Sequence, residues 1–170
     1  LGEKNMITVH LTLVPFLKSA EELKTKPTQH SVKQLQESGI QPDIIVCRTE
    51  NHSLPVDIRK KIALFCNVDV RSVIEAMDAK TIYEVPILMQ KEKLDQRVLY
   101  MLDLYNDNDS DMKKWQEFLQ RLKKPENEVT IGLIGKYVEL KDAYKSIIEA
   151  FIHAGAENNC KVKIDWIHSE

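Results

Sequence analysis

The sequence predicts an α/β fold built on parallel sheets and arranged as two successive units. Three observations carry this reading. Asp43 to Arg48 (DIIVCR) is a short, continuous apolar run, the pattern of a strand buried on both faces of a parallel sheet. Residues 129–167 follow the order strand, helix, strand, which implies a parallel pair with a right-handed crossover. Between these regions the polar stretch Asn106 to Asp111 marks a change of character.

The elements follow in order. Met6 to Val14 (MITVHLTLV) mixes apolar and β-branched residues and is stopped by Pro15, so it reads as a strand. Residues 18–27 show no period and read as a loop. Thr28 to Ser38 reads as a helix with Val32 and Leu35 on one face, closed by Gly39 in the position of a C-terminal cap. After the strand at 43–48, Leu54 to Asn67 reads as a helix with Pro55 near its start. Its apolar face is expected to be Ile58, Ile62 and Phe65. Val73 to Met77 reads as a third strand, and 80–104 as two helical pieces kinked near Pro86. Asp and Ser residues in 106–111 suit the cap of a helix over Met112 to Lys124, which carries Trp115, Phe118, Leu119 and Leu122 at helical spacing. Its last residues, Lys123 and Lys124, put cations at the negative end of the helix dipole. Val129 to Ile134, Lys141 to Ala154 and Val162 to Ile167 then form the second unit. The first unit is expected to lack its beginning and the second its end, because the chain starts at Leu1-Gly2 and stops as abruptly.

Composition narrows the function. Of 170 residues, 29% are charged and 43% hydrophobic, which supports a packed core of one domain, or of one and part of another. The net charge of −2 argues against a general nucleic-acid binder, which carries a basic excess. No apolar run approaches the ~20 residues that cross a bilayer, and no segment resembles a secretion signal. The three cysteines, Cys47, Cys66 and Cys160, match no zinc spacing, and their odd number suits reduced thiols in the cytoplasm.

Parallel sheets bind ligands beyond the carboxyl ends of their strands. Two basic groups fall at such ends. Lys24 and Lys26 precede the helix opened at Thr28. If the segment is extended, as Pro27 favours, they share a side and converge on helical N–H groups that suit an anion. The alternative is two solvated lysines. Arg48 ends the central strand, where a guanidinium can stack on a base or pair with phosphate; the alternative is a pair with Glu50. On the helical wheel Lys61 lies about 60° from Ile58, beside the apolar face, and either snorkels or reaches a pocket, whereas Lys60 faces water. Two motifs fail. Gly132 to Tyr137 is too short for a phosphate loop and has Tyr137 where Ser or Thr is required. The acidic run at 107–111 lacks the Gly and Glu of a calcium loop. His10, His30, His52, His153 and His168 show no ligand spacing.

The segments HLTLVPFL (10–17), KTKPTQHSV (24–32), GIQPDIIVCR (39–48), KIALFCNV (61–68) and GKYVELKDAYKSIIEA (135–150) resemble the CTP synthases, in this order and over essentially the whole chain. The resemblance implies a P-loop-like amidoligase (synthetase) domain, incomplete and spanning 1–105, a linker with its helix at 106–127, and the first βαβ unit of a class I glutaminase domain at 128–170. It implies a ligase of pyrimidine biosynthesis, a cytoplasmic glutamine amidotransferase that uses ATP with magnesium to aminate UTP to CTP with ammonia from glutamine. It implies a homotetramer, with no nucleic-acid or membrane partner. Lys24, Thr25, Lys26, Pro27, Thr28 and Gln29 match the family's UTP and CTP phosphate segment, and Lys61 its further lysine on that nucleotide. Arg48, Met77, Asp78 and Ala79 match the ATP adenine contacts, the last three largely through backbone; the family often has Lys where Met77 stands. The ATP phosphate loop, magnesium ligands and glutaminase triad have no counterpart in these residues, so the chain alone is expected to be inactive. The competing readings are a non-catalytic oligomerisation element, suggested by Trp115 and Phe118 on the linker helix, and a dethiobiotin synthetase-like amidoligase.

Overall fold

Three strands lie side by side in the order β1 (Val9–Leu13), β4 (Ile44–Thr49), β5 (Val73–Met77), all parallel. The computed structural model describes residue 2, residues 5–105 and residues 108–169. Its contacts divide the chain into two units, residues 1–110 and 111–170.

The position of β4 explains its sequence. It is the central strand of the three, and Ile44, Ile45, Val46 and Cys47 are all buried because both faces of the sheet are covered. On one face Ile45, Cys47 and Val73 pack with Val32 of α1 (Lys26–Glu37) and with Ile62, Ala63 and Cys66 of α2 (Val56–Cys66). On the other, Ile44, Val46 and Ile74 pack with Met89 of α3 (Val85–Lys91) and with Leu94, Val98 and Met101 of α4 (Leu94–Met101). In β1 the residues alternate: Thr12 is buried, while Val9, Leu11 and Leu13 stay exposed.

Four expectations need correction. The segment at 18–27, read as a loop, contains a strand, β3 (Glu22–Leu23), which pairs antiparallel with β2 (Phe16–Leu17) just before it. Helix α1 starts at Lys26 and not at Thr28: Pro27 falls in the first turn, where its missing N–H removes no helical bond. Pro86 likewise sits in the first turn of α3 and does not kink it; the break comes at Lys93, whose left-handed backbone (φ 59°) separates α3 from α4. The buried face of α2 is Ile62, Ala63 and Cys66, and Phe65 is 61% exposed. The cap at Gly39 holds: its φ is +80° and its N–H donates to the Gln36 carbonyl (2.9 Å).

The second unit contains α5 (Lys113–Lys123), β6 (Asn127–Gly135), α6 (Lys145–Glu157) and β7 (Cys160–His168). Strands β6 and β7 pair in parallel from Asn127↔Cys160 to Gly135↔His168. Helix α5 packs on α6, with Arg121 paired to Glu157 (3.0 Å). Asp111 accepts the Lys113 N–H (3.0 Å), the capping role expected of that stretch; Asn106 and Asp107 lie outside the described residues. A 3₁₀ turn at Lys141–Tyr144 precedes α6, which is why the helix runs later than its sequence suggests, to Glu157. Gly132 to Gly135 belong to β6, so the sequence that echoes a phosphate loop is strand.

Candidate nucleotide site

The register fixes what meets at the carboxyl end of the three-stranded sheet. Leu13, Arg48 and Ala76 lie abreast, so the chain leaves β1, β4 and β5 at one level. Three groups of residues collect there.

The first is Lys24 to Gln29. The Lys24 N–H donates to the Pro15 carbonyl (2.9 Å), which holds the segment against the end of β1. Thr25 is buried and Thr28 wholly so. The Thr28 hydroxyl donates to the Leu13 carbonyl (3.1 Å) and accepts from the Thr12 hydroxyl (3.3 Å). Gln29 donates through Nε2 to the Thr25 hydroxyl (3.0 Å). The two threonines are therefore anchors, while Lys26 and Pro27 remain exposed at the first turn of α1. The first N–H groups of a helix have no intrahelical acceptor, and they sit here beside cations. Because Lys26 is helical, the extended-chain argument that put it on one side with Lys24 does not hold.

The second is Lys61. It is exposed and does not run along the core edge, since the buried face of α2 is turned away from it. Lys24 forms an ion pair with Glu22, and this hydrogen bond and charge hold the Glu22 carboxyl below its ordinary range, with the Lys61 charge acting in the same direction. Glu22 is thus the ion-pair partner of Lys24. The sequence reading missed it, although Glu22 and Lys24 are two apart.

The third is Arg48 with residues 77–79. Arg48 pairs with Asp78 (3.0 Å) and not with Glu50. The Asp78 N–H donates to the Thr49 carbonyl (3.0 Å), continuing the ladder one step past β5. These residues border a cavity of about 530 Å³. Leu11, Val46 and Ala76 supply its floor from the sheet, and Ile82, Val85 and Met89 its opposite wall. A flat apolar slot with a guanidinium at its rim suits a heteroaromatic ring. Met77 and Ala79 line the same cavity.

Two further side chains stand at this end of the sheet. His52 stacks on Phe16 with ring centroids 3.6 Å apart and 11° between planes. Thr49 is fully buried and its hydroxyl has no hydrogen-bond partner among the described residues. Among those residues no group of three or more His, Cys, Asp or Glu comes together. No helix among them is long and apolar enough to cross a membrane.

Residues 1–104 match a family model described as the CTP synthase N-terminus. The chain belongs to the CTP synthase family. It is 65% identical over 170 residues to the CTP synthase of Cytophaga hutchinsonii, covering 100% of this chain and 31% of that protein. The CTP synthase of Flavobacterium psychrophilum is 62% identical over 170 residues (100% and 32%), and that of Methanocaldococcus jannaschii 56% over 172 (100% and 31%). The chain thus spans about a third of the length of these CTP synthases. The family match accords with the parallel α/β architecture.

Proposed function

We propose that this chain is the nucleotide-holding part of a CTP synthase, a ligase that transfers phosphate from ATP to the uracil 4-oxygen of UTP and replaces it with ammonia from glutamine. The products are CTP, ADP and phosphate. In this reading residues 1–105 belong to the synthetase domain, 106–127 form the linker and 128–170 begin the glutaminase domain, within a cytoplasmic homotetramer. The family match does not favour an oligomerisation element or a dethiobiotin synthetase-like enzyme.

The observation that supports the proposal is that Lys24 is held against the end of β1 through the Pro15 carbonyl and Lys26 stands in the first turn of α1, at the carboxyl end of a parallel sheet. Lys24 to Gln29 and Lys61 hold the triphosphate of UTP or CTP: the lysines supply charge, the helix start supplies N–H donors, and Thr25 and Thr28 fix the height of that turn. Glu22 occupies Lys24 until phosphate takes its place. Arg48 and residues 77–79 hold the adenine of ATP in the adjoining slot. No residue of this chain is assigned to the bond-making step.

The test is steady-state kinetics in a full-length CTP synthase carrying this segment. Each charge-assisted phosphate contact contributes about 1.5–3 kcal/mol. Lys24→Ala and Lys26→Ala should each raise the UTP KM by about ten- to a hundredfold and weaken CTP inhibition in parallel, because substrate and product share the triphosphate. Unchanged UTP dependence in both variants refutes the assignment.

A further inference from the structure

We infer that the Asp78 carboxylate is a positioning residue, holding the Arg48 guanidinium at the mouth of the 530 Å³ cavity in readiness for a flat base. The inference rests on the reading of that cavity as the adenine site, and adds to it a side-chain role where the family resemblance implied mainly backbone contacts.

The register sets up the pair. Arg48 on β4 lies opposite Ala76 on β5. Side chains two apart on a strand share a face, so Asp78 comes out on the same face as Arg48, one diagonal step further on. Its backbone is pinned there by the bond from its N–H to the Thr49 carbonyl (3.0 Å). The segment that follows is braced as well. The Lys80 N–H donates to Glu84 (3.0 Å), the Glu84 N–H to the Thr81 carbonyl (3.0 Å), and Tyr83 is buried. The carboxylate therefore sits on a fixed frame, whereas Arg48 is a long side chain, 57% exposed. Left alone, it would spread over many rotamers and lose that freedom when it meets a ligand.

The contact is also of the right kind. Only Nη2 of Arg48 donates to Asp78, through one oxygen at 3.0 Å. A single end-on bond leaves the planar faces of the guanidinium clear, and stacking uses a face. A two-pronged bond from Asp78 to Arg48 would fix the plane more firmly but is not needed to keep the group over the slot. Being exposed, the pair adds little to the stability of the fold, so its effect should appear in ligand binding.

The experiment compares Arg48→Ala, Asp78→Ala, Asp78→Asn and the double alanine variant in a full-length CTP synthase carrying this segment, measuring KM for ATP and UTP and kcat at saturating ATP. Arg48→Ala should raise the ATP KM about tenfold or more. Asp78→Ala should raise it about three- to fivefold, with the UTP KM unchanged and kcat within about twofold. Asp78→Asn, which keeps an acceptor oxygen, should fall between Asp78→Ala and the parent, and it stands in should the alanine variant fold poorly. Adding Asp78→Ala to Arg48→Ala should change nothing further, since a positioning group acts only through its partner. A full Asp78→Ala effect in the absence of Arg48 overturns the inference, as does a lowered ATP KM, which would make the pair a latch that obstructs the slot. If Arg48→Ala raises the ATP KM and Asp78→Ala does not, the positioning role alone fails. If Arg48→Ala leaves it unchanged, the adenine reading fails and the inference with it.

Discussion

Removing Glu92 should loosen β5. Glu92 lies between α3 and α4 and accepts three bonds: Arg59 Nη1 at 2.5 Å, Arg59 Nη2 at 3.2 Å and the Glu75 N–H at 3.0 Å. Arg59 in turn donates to the Leu54 and Val73 carbonyls (3.0 and 3.1 Å) and to Glu75 (3.1 Å). One guanidinium thus ties α2 and the loop before it to β5. The side chains are 21% (Arg59), 13% (Glu75) and 23% (Glu92) exposed. Breaking a buried pair by removing one partner costs about 3–5 kcal/mol. Partial exposure and the surviving Glu75 reduce this, so Glu92→Ala should lose about 2–3 kcal/mol. Urea unfolding followed by circular dichroism gives the loss, and hydrogen exchange across residues 73–77 locates it, because the Glu75 amide loses its acceptor. The pH dependence supplies a second reading. Burial, the largest single influence, pushes the Glu92 carboxyl up; the Arg59 hydrogen bond, the Glu75 N–H and the Arg59 charge outweigh it and leave the group below its ordinary value of 4.5. A carboxyl lowered in the folded state stabilises above its unfolded value, and the stabilisation is lost as pH falls through the folded value. The parent should therefore lose stability below about pH 4.5 more steeply than Glu92→Gln. Arg71→Ala, which removes an exposed pair with Asp69, should cost under about 1 kcal/mol. Equal losses from Glu92→Ala and Arg71→Ala, or parallel acid profiles for the parent and Glu92→Gln, refute the reasoning.

Further expectations concern other parts of the chain. If Lys61 reaches the nucleotide phosphates as the family resemblance implies, Lys61→Met should raise the UTP KM several-fold while Lys60→Met, one residue away and about 100° round the helix, leaves it alone; equal kinetic effects refute the assignment of Lys61. Gly155→Ala should destabilise the second unit by about 1–3 kcal/mol, because the added Cβ would stand 2.5 Å from the Cys160 carbonyl oxygen, and an unchanged melting temperature refutes this. A thiol reagent at pH 8 should modify Cys160 first. Burial pushes the Cys47 thiol up to about 12 and the Cys66 thiol up to about 11, and peptide mapping that finds either labelled ahead of Cys160 refutes the order.

The sequence disclosed periodicity and concealed register. The apolar run at 43–48 was legible because a strand covered on both faces needs apolar residues along its length, and 73–77 because it opens on the buried, β-branched pair Val73 and Ile74. The start of α1 was not, since Pro27 signals a boundary without saying on which side of it the helix begins. The wheel for α2 went wrong because Phe65 is apolar yet faces outward, which shifted the inferred face toward Lys61. Within the site, individual basic residues could be named from the sequence, but their partners could not. The Arg48–Asp78 pair depends on the alignment of β4 against β5, and the link from Lys61 to Glu22 on how β3 lies near α2. Charges adjacent in the chain, such as Arg48 and Glu50, were the wrong ones to pair.

The buried hydroxyls of Thr12 and Thr28 have a mechanical consequence. They attach α1 to the sheet at its first turn, through Leu13 and Thr12, whereas the helix's last residues, Gln36 and Glu37, are exposed. These bonds set the height of the turn that carries Lys26 against the sheet, while farther along the helix the Ser31–His10 hydrogen bond (2.9 Å) and the buried Val32 hold it to the same sheet. Replacing Thr28 with Val would keep the volume but remove both hydroxyl bonds at the first turn, leaving that turn placed by packing alone without emptying any space in the core.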